Sequence, residues 1–452
     1  MIKMEKNIIR QQKTVVPVDF IFQKISGFFE KFGLFSCFML ALWSTISTAG
    51  GSISMGILFA CFLLSGNWRE KIRLLKHPII IMVFAFVFWE LVGVLYSYGS
   101  WSEAFSAALR YNRLLTIWCV VYFIHGDVKK FYWMVSALAL GILINLVSIY
   151  LNYYILSQSY AIKFIGGASW PSAQGHGTFA YFTLVFGFSC LITSRLKEIK
   201  IQWRYVALAL GALAMIAEIF LNSSRSGYVM ELSILICLLF QARKLWSIIG
   251  MVAFILALFG GAYLFSPTFK ERIDEGVHHV VAYTEGHSNI TSVGLRLNFY
   301  VTTANILIER PSKLVIGYGT GSYEAVTKSY YADKKNKNPN FEYQSFSNPH
   351  NQYLTYLFEN GIIGLMLFLG FLYTVWRYAQ TLPRFWYSVA WVSLVGISVN
   401  MLFNSSFMDF SSIFFVFLVG VLASYHPRSR FGDLSLWQRP IYSKEARITK
   451  NG

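Results

Sequence analysis

Three groups of residues in this 452-residue chain combine types and spacings suited to chemistry on an anion. The first is Asn222-Ser223-Ser224-Arg225-Ser226-Gly227, a tight connection between two apolar runs. Its serines can cap a following helix, so that the free N–H groups at the helix start and the Arg225 guanidinium face one ligand, an arrangement suited to phosphate. The alternative is a loop arginine that snorkels. The second group is Gly294-Leu295-Arg296-Leu297-Asn298-Phe299-Tyr300, with Arg296 near another expected helix start. The third is Asn348-Pro349-His350-Asn351-Gln352-Tyr353-Leu354, running into Glu359-Asn360-Gly361-Ile362-Ile363-Gly364. His350 can exchange protons near neutral pH; the alternative is an interfacial histidine bonded to backbone. His350 and Gly361 are about three helical turns apart, which predicts one shared helix face. Gly361 and Gly364 would let another helix approach closely.

Other candidates are His176, in Gln174-Gly175-His176-Gly177 at the mouth of an apolar run, and Arg110 and Arg113, on an amphipathic stretch. Glu90, Glu218, Glu231 and Glu359 lie within or at the edges of apolar runs. Ionisable residues there are functional by default, with a hydrogen-bonded structural role as the competitor. Arg310 and Lys313 suit the C-terminal end of a helix.

The elements that position these residues belong to a membrane. Hydrophobic residues make up 55%, charged residues 13%, and the mean hydropathy is +0.49. Soluble domains carry about 25% charged residues, so a soluble α/β enzyme, a disordered chain and a disulfide-rich secreted protein are excluded. About twelve apolar stretches have spanning character. They run over 32–47, 53–65, 78–98, 114–124, 132–156, 179–193, 205–221, 228–240, 245–265, 352–376, 385–401 and 410–425. The fourth is short and is expected to draw on Glu103–Arg113. With the N-terminus inside, the inner connections and both tails hold about 26 of the 39 Lys and Arg, as the positive-inside rule requires. The net charge of +17 is then mainly topogenic, and no nucleic-acid partner is expected. No cleavage site follows the basic N-terminus, so the first apolar segment is expected to stay in the mature protein. The five cysteines lie in apolar runs without metal or redox spacing and read as structural.

One outer connection, Pro267–His350, is too long to lack structure. Apolar spacing predicts a helix over Asn298–Glu309, ended by Arg310-Pro311; glycines cluster in Ile316–Gly321, and Tyr330–Asn340 reads as a solvated tip. The expected organisation is nine spans over 1–266, the large loop over 267–350, three spans over 351–425 and a basic tail over 426–452. Outside that loop, the outer side carries only Arg110, Arg113, Lys163 and Arg225 as cations. His278-His279 and His287 lack partners at metal-ligand spacing. A Walker-type loop, a Gly-x-Ser-x-Gly elbow and an acidic pair for a metal-bound nucleotide sugar are all missing from the sequence.

Ser224-Arg225-Ser226-Gly227, Gly294-Leu295-Arg296 and Pro349–Leu354 with Glu359-Asn360-Gly361, in this order and on one side, resemble the bacterial O-antigen ligase and polymerase superfamily. The resemblance covers most of Arg225–Gly370. The spacing from His350 to Gly361 is typical of the ligase branch. Two departures are Val229, where that branch favours Leu, and Tyr300, where relatives often have Trp. The resemblance implies an all-α polytopic fold of about twelve transmembrane helices, GT-C-like, with a large periplasmic loop. It implies an inverting glycosyltransferase of the Gram-negative inner membrane with both termini cytoplasmic, working without metal or other cofactor. The donor would be a glycan on undecaprenyl pyrophosphate, the acceptor the lipid A–core oligosaccharide, and membrane lipids the surroundings. Arg225 and Arg296 would clamp the pyrophosphate, and His350 would accept the acceptor's proton or else bind pyrophosphate. Asn351, Tyr353, Arg110, Arg113 and His176 would complete the substrate site.

Three rivals remain. An O-antigen polymerase shares the donor, but commonly has arginine-rich elements on two outer loops, whereas Ser157–Gly177 offers only Lys163. A protein O-oligosaccharyltransferase usually has further soluble regions near its C-terminus. A flippase for lipid-linked glycans would show internal repeats and charges along a central path.

Overall fold

A computed structural model of the chain describes residues 18–154, 175–241, 245–285, 291–337 and 346–425. Among these the chain is helix and turn, with no strand. The first part comprises α1 (Val18–Ile46), α2 (Thr48–Leu64), α3 (Trp68–Leu74), α4 (Pro78–Leu95), α5 (Trp101–Tyr111), α6 (Thr116–Ile124) and α7 (Val128–Tyr154). Then come α8 (His176–Thr193), α9 (Ile201–Ile216), α10 (Arg225–Gln241) and α11 (Leu245–Phe265). The 267–350 segment holds α12 (Pro267–Thr284), α13 (Ser292–Glu309), α14 (Lys313–Ile316) and α15 (Tyr323–Lys337). The chain closes with α16 (Gln352–Ala379), α17 (Arg384–Asn400) and α18 (Ile413–Ala423).

Each apolar stretch read from the sequence contains a helix, but they are unequal. Among the described residues 7 helices are long and apolar enough to cross a membrane, and up to 8 if α2 and α3, bent by 117°, form one span. The chain is therefore a polytopic all-α membrane protein. Helices α6, α10, α17 and α18 are each too short to pass that test alone. For α6 the missing length is supplied as expected: α5, a 3₁₀ turn at Asn112–Leu115 and α6 run on without a break. α18 is buried on every side, the mark of a central core helix, whereas α11 exposes Leu256, Leu264 and Phe265. Phe86 of α4 meets Tyr356 of α16 and Tyr111 of α5 edge-on at ring separations of 5.1 and 5.6 Å. All five cysteines are free, three of them buried. Lys163, His287, residues 243–244, the N-terminal 1–17 and the tail 426–452 lie outside the described residues.

Three expectations for residues 267–361 are corrected. The loop helix begins at Ser292 rather than Asn298, because the Thr291 hydroxyl accepts the Gly294 N–H at 3.0 Å and caps it. The expected tip is solvated over 332–336, as read, but it is helical as far as Lys337, and Tyr331 is buried with its hydroxyl 3.0 Å from that of Thr302; residues 338–340 are outside the described residues. Most consequential, His350 and Gly361 do not share a helix face. His350 precedes α16, with a left-handed φ of 51°, and Gly361, at φ 64°, breaks α16 in two.

That break exists because another segment enters the bundle there. Residues 317–321 lie between α4 and α16, with Gly317, Gly319 and Gly321 all at positive φ, a conformation in which glycine avoids the Cβ clash. Tyr318 and Gly319 donate their N–H groups to the carbonyls of Phe358 and Glu359 at 2.9 and 2.7 Å. On the other edge, Thr320 N–H reaches the Gly93 carbonyl at 3.2 Å, and Tyr98 N–H reaches the Tyr318 carbonyl at 3.0 Å. A Cβ on Gly361 would collide with the Val315 carbonyl. The approach that Gly361 permits is that of α14, a single helical turn, and of the glycine segment that follows it.

Candidate functional site

The first motif is set by a turn whose polar groups are consumed locally. α9 ends in a π turn, Ala217–Leu221, a feature often found at functional sites. Asn222 follows, fully buried, donating to Glu218 at 2.8 Å and to the His176 carbonyl at 3.1 Å, while its oxygen lies 2.9 Å from His176 Nδ1. The Ser224 hydroxyl accepts the Gly227 N–H at 3.1 Å and caps α10, as the sequence predicts. A Cβ on Gly227 would collide with Glu218 Oε1, so glycine lets α10 lie against that carboxylate.

Arg225, at the start of α10, faces the 267–350 segment. Its Nε donates to the Arg272 carbonyl at 2.9 Å, its Nη1 to the Ser292 hydroxyl at 3.2 Å, and its Nη2 lies 2.6 Å from Glu275 Oε2. Arg272 answers in kind: Nε donates to the Ser223 carbonyl at 3.2 Å and Nη1 to the same Glu275 oxygen at 2.8 Å. His279 Nε2 is 3.8 Å from Glu275 Oε1, so this histidine faces a carboxylate. Burial raises the Glu275 pKa, but the Arg272 hydrogen bond and the charges of Arg225 and Arg272 outweigh it, leaving the carboxyl below its ordinary value.

α13 brings in the second motif. Arg296, Phe299 and Tyr300 are three and four residues apart and so share one face. Arg296 Nη1 donates to the Ser292 carbonyl at 3.2 Å, while its buried Nε has no acceptor among the described residues. Tyr300, in the position where relatives often have Trp, donates its hydroxyl to the Leu402 carbonyl at 2.8 Å and pins α13 to the turn after α17. The third motif meets this face. The His350 ring stacks on Phe299 with centroids 6.1 Å apart and an interplanar angle of 26°, and Phe346 meets it edge-on. The left-handed His350 backbone is held by its N–H donating to Asn348 Oδ1 at 2.9 Å.

Electrostatics join the three motifs. Burial lowers the His350 pKa, and the Arg296 charge lowers it further, so the imidazole favours its neutral form. Burial also lowers Arg296, with Tyr300 opposing and Arg225 reinforcing the shift. The arrangement is a cationic cluster beside a partly buried imidazole whose pKa is pushed down. It can hold an anion and accept a proton beside it.

The remaining candidates take different places. Asn351 caps α16 by accepting the Leu354 N–H at 3.1 Å and donates to the Leu402 carbonyl at 3.1 Å. Tyr353 donates to the Ser398 carbonyl at 2.9 Å. Both therefore fix the His350 turn to protein rather than presenting free polar atoms. Arg113 lies over the Phe410 ring at 5.7 Å, with a buried Nη1 that has no acceptor among the described residues. Burial raises Asp409, and Arg113 and Arg110 counter it, so these arginines act beside the turn that also receives Tyr300 and Asn351. Glu90, Glu218, Glu231 and Glu359 are all fully buried. Glu90 accepts from Thr320 and Asn360, both at 3.0 Å, and so anchors the inserted glycine segment. Among the described residues no three His, Cys, Asp or Glu are grouped to hold a metal ion.

Arg272, Glu275 and Thr320 escaped the sequence reading. The signal for the first two was Ser266-Pro267, a cap followed by proline at the first helical position, which starts α12 and puts positions 272, 275 and 279 on one face.

Residues 210–369 match the family model described as O-Antigen ligase. These residues are an O-antigen ligase family domain. The ligase domain runs from α9 into α16 and contains Arg225, Arg272, Arg296 and His350, whereas Arg110, Arg113 and His176 lie before it. No curated protein matches the chain. The match points to glycosyltransferase-like processing of O-antigen, with lipid-linked glycans as the general substrate class.

Proposed function

We propose that the chain is an O-antigen ligase of the Gram-negative inner membrane. It would transfer O-antigen polysaccharide, with inversion, from undecaprenyl pyrophosphate to a hydroxyl of the lipid A–core oligosaccharide on the periplasmic side. The observation that carries this is that Arg225 and Arg296 both bond Ser292, while His350 stacks on Phe299, one helical turn from Arg296, within the ligase domain. The architecture is GT-C-like, with about twelve spans in the 1–266 and 351–425 parts, a periplasmic 267–350 segment, a basic tail over 426–452 and both termini cytoplasmic.

In the reaction the acceptor hydroxyl oxygen attacks the anomeric carbon of the first donor sugar. Its proton passes to the neutral His350 imidazole. The bond from that carbon to the pyrophosphate oxygen breaks, and undecaprenyl pyrophosphate leaves with the electron pair. Arg225 and Arg296 hold the pyrophosphate and stabilise the charge that develops on it, replacing the metal of soluble relatives. Asn351 and Tyr353 position His350; Arg110, Arg113 and His176 border the substrate path. Only the diphosphate and first sugar need to enter, with the lipid tail in a groove between spans.

The test analyses lipopolysaccharide and lipid-linked glycans together in a strain lacking the gene, complemented with wild type, His350→Ala, Arg225→Ala or Arg296→Ala. Polymerised glycan accumulating on undecaprenyl pyrophosphate over bare core, rescued by wild type alone, is the expected result. Core bearing single repeat units would make the protein a polymerase. No change in either pool would refute the substrate assignment.

A further inference from the structure

Glu275 occupies a singular position. Two guanidinium groups converge on its Oε2, Arg225 at 2.6 Å and Arg272 at 2.8 Å, and His279 approaches its Oε1 at 3.8 Å. The two arginines are tethered reciprocally by Nε. Arg225 donates to the carbonyl of Arg272, and Arg272 to that of Ser223, the second residue before Arg225. Anchored in this way, each arginine presents its Nη edge to a common point, the geometry in which paired guanidiniums grip a phosphate. The carboxylate at that point fits imperfectly. The buried Arg225 Nη2 touches it without a hydrogen-bonding angle, and His279 Nδ1 and Arg296 Nε are buried without acceptors among the described residues. Arg225, Arg272 and Arg296 outnumber the single carboxylate, so the recess keeps an excess of positive charge. Buried polar atoms without partners are rare in folded proteins; here Arg225 Nη2 and His279 Nδ1 belong to side chains that face Glu275, and Arg296 Nε lies on α13, whose Ser292 hydroxyl accepts from Arg225.

We infer that Arg272 is a further cationic ligand for the donor diphosphate, and that Glu275 is an internal counter-ion holding the phosphate position until the donor displaces it. This rests on the recess being the diphosphate site, as proposed above. Glu275 keeps three cationic or titratable side chains from repelling one another in the empty enzyme. A diphosphate entering the recess exchanges one carboxylate contact for several charge-assisted contacts on the same Nη edges, and α12 shifts its acidic side chain away. Glu275 thereby weakens donor binding and, equally, product binding. The same exchange favours release of undecaprenyl pyrophosphate after transfer.

The test measures binding of inorganic pyrophosphate to the full-length protein in lipid nanodiscs by calorimetry, at fixed salt. Wild type, Glu275→Gln, Glu275→Ala, Arg272→Ala and the double variant Glu275→Gln/Arg272→Ala are compared, with folding checked by thermal melting. Removing the competing carboxylate should tighten binding by roughly threefold to tenfold in both Glu275 variants, the size of one charged contact in a half-exposed site. Arg272→Ala should weaken binding, and the double variant should lose the gain. Arg272→Lys should restore only part of the affinity, because lysine keeps the charge and loses the paired edge. Wild-type binding with unchanged or weaker binding in both Glu275 variants would overturn the counter-ion role and leave the site assignment standing. An absence of binding in wild type and in both Glu275 variants would overturn the site assignment and this inference together.

Discussion

The 267–350 segment is fastened to the membrane helices at two places, and the two are built in opposite ways. At residues 317–321 the contact is made by backbone, deep between α4 and α16, with N–H groups matched to carbonyls and Thr320, Asn360 and Glu90 bonded to one another. Around Arg225, Arg272, Arg296 and His350 the contact is made by long cationic side chains; Arg225 Nη2 is paired with Glu275, and Arg296 Nε and His279 Nδ1 are buried without a hydrogen-bond partner among the described residues. The glycine insertion is a joint whose backbone groups answer one another, with Ser322 Oγ and Glu359 Oε2 the buried atoms there without a partner among the described residues. The arginine recess is not complete in this sense, and its unmet capacity is for an anion. A protein that only needed to hold the segment in place would have had no use for the second arrangement.

The sharpest way to break this contrast is to remove the reactive groups and look for a structural defect. His350→Ala should lower glycan transfer by about two to four orders of magnitude, the range for a general base. Arg296→Ala should lower it by about two to three orders of magnitude. Melting temperature and membrane yield of both variants should stay near wild type. A comparable loss of stability in either variant would make the recess a second structural joint. The converse is expected at the insertion. Gly361→Ala forces a left-handed backbone and a collision with the Val315 carbonyl, and should destabilise by about 1–3 kcal/mol in a thermal melt.

Smaller effects refine the contrast. Burial and the Arg296 charge lower the His350 pKa. The neutral base is therefore present above that lowered value and lost as pH falls through it. Transfer should hold through mildly acidic pH and fall only below the ordinary histidine range. Replacing Arg296 by Gln removes the repelling charge, so the residual activity should have its acidic limb at higher pH; an unshifted limb would dissociate the two residues. Smallest is Asn351→Ala, which removes the cap of α16 and should cost about 1 kcal/mol, seen in melting, with only a modest fall in transfer.

What the sequence revealed follows from what sequence periodicity can encode. Membrane character, the helical nature of each apolar stretch and the cap at Ser224 were legible because they depend on neighbours within a few positions. Arg225, Arg296 and His350 stood out because their types are costly near lipid. The break at Gly361 was not legible: the pattern around it is that of an uninterrupted helix, and only the distant segment 315–321 splits it. The role of Glu90 was equally hidden, since its partners Thr320 and Asn360 lie far along the chain. Glu275 was passed over because α12 is too polar to read as a span, although Ser266-Pro267 announces its start. Tyr331 read as solvated because its neighbours are lysines and an aspartate, while its burial depends on Thr302 of a different helix.

In the proposed reaction His350 and the arginine cluster perform glycosyl transfer onto lipid A–core. This is tested most directly with purified protein in liposomes, supplied with undecaprenyl-pyrophosphate-linked glycan and lipid A–core, comparing initial rates for wild type and His350→Ala. Wild type is expected to form glycan-bearing lipid A–core, and His350→Ala to form it at least about a hundredfold more slowly. Equal rates for the two proteins, with both folded, would contradict the proposed reaction.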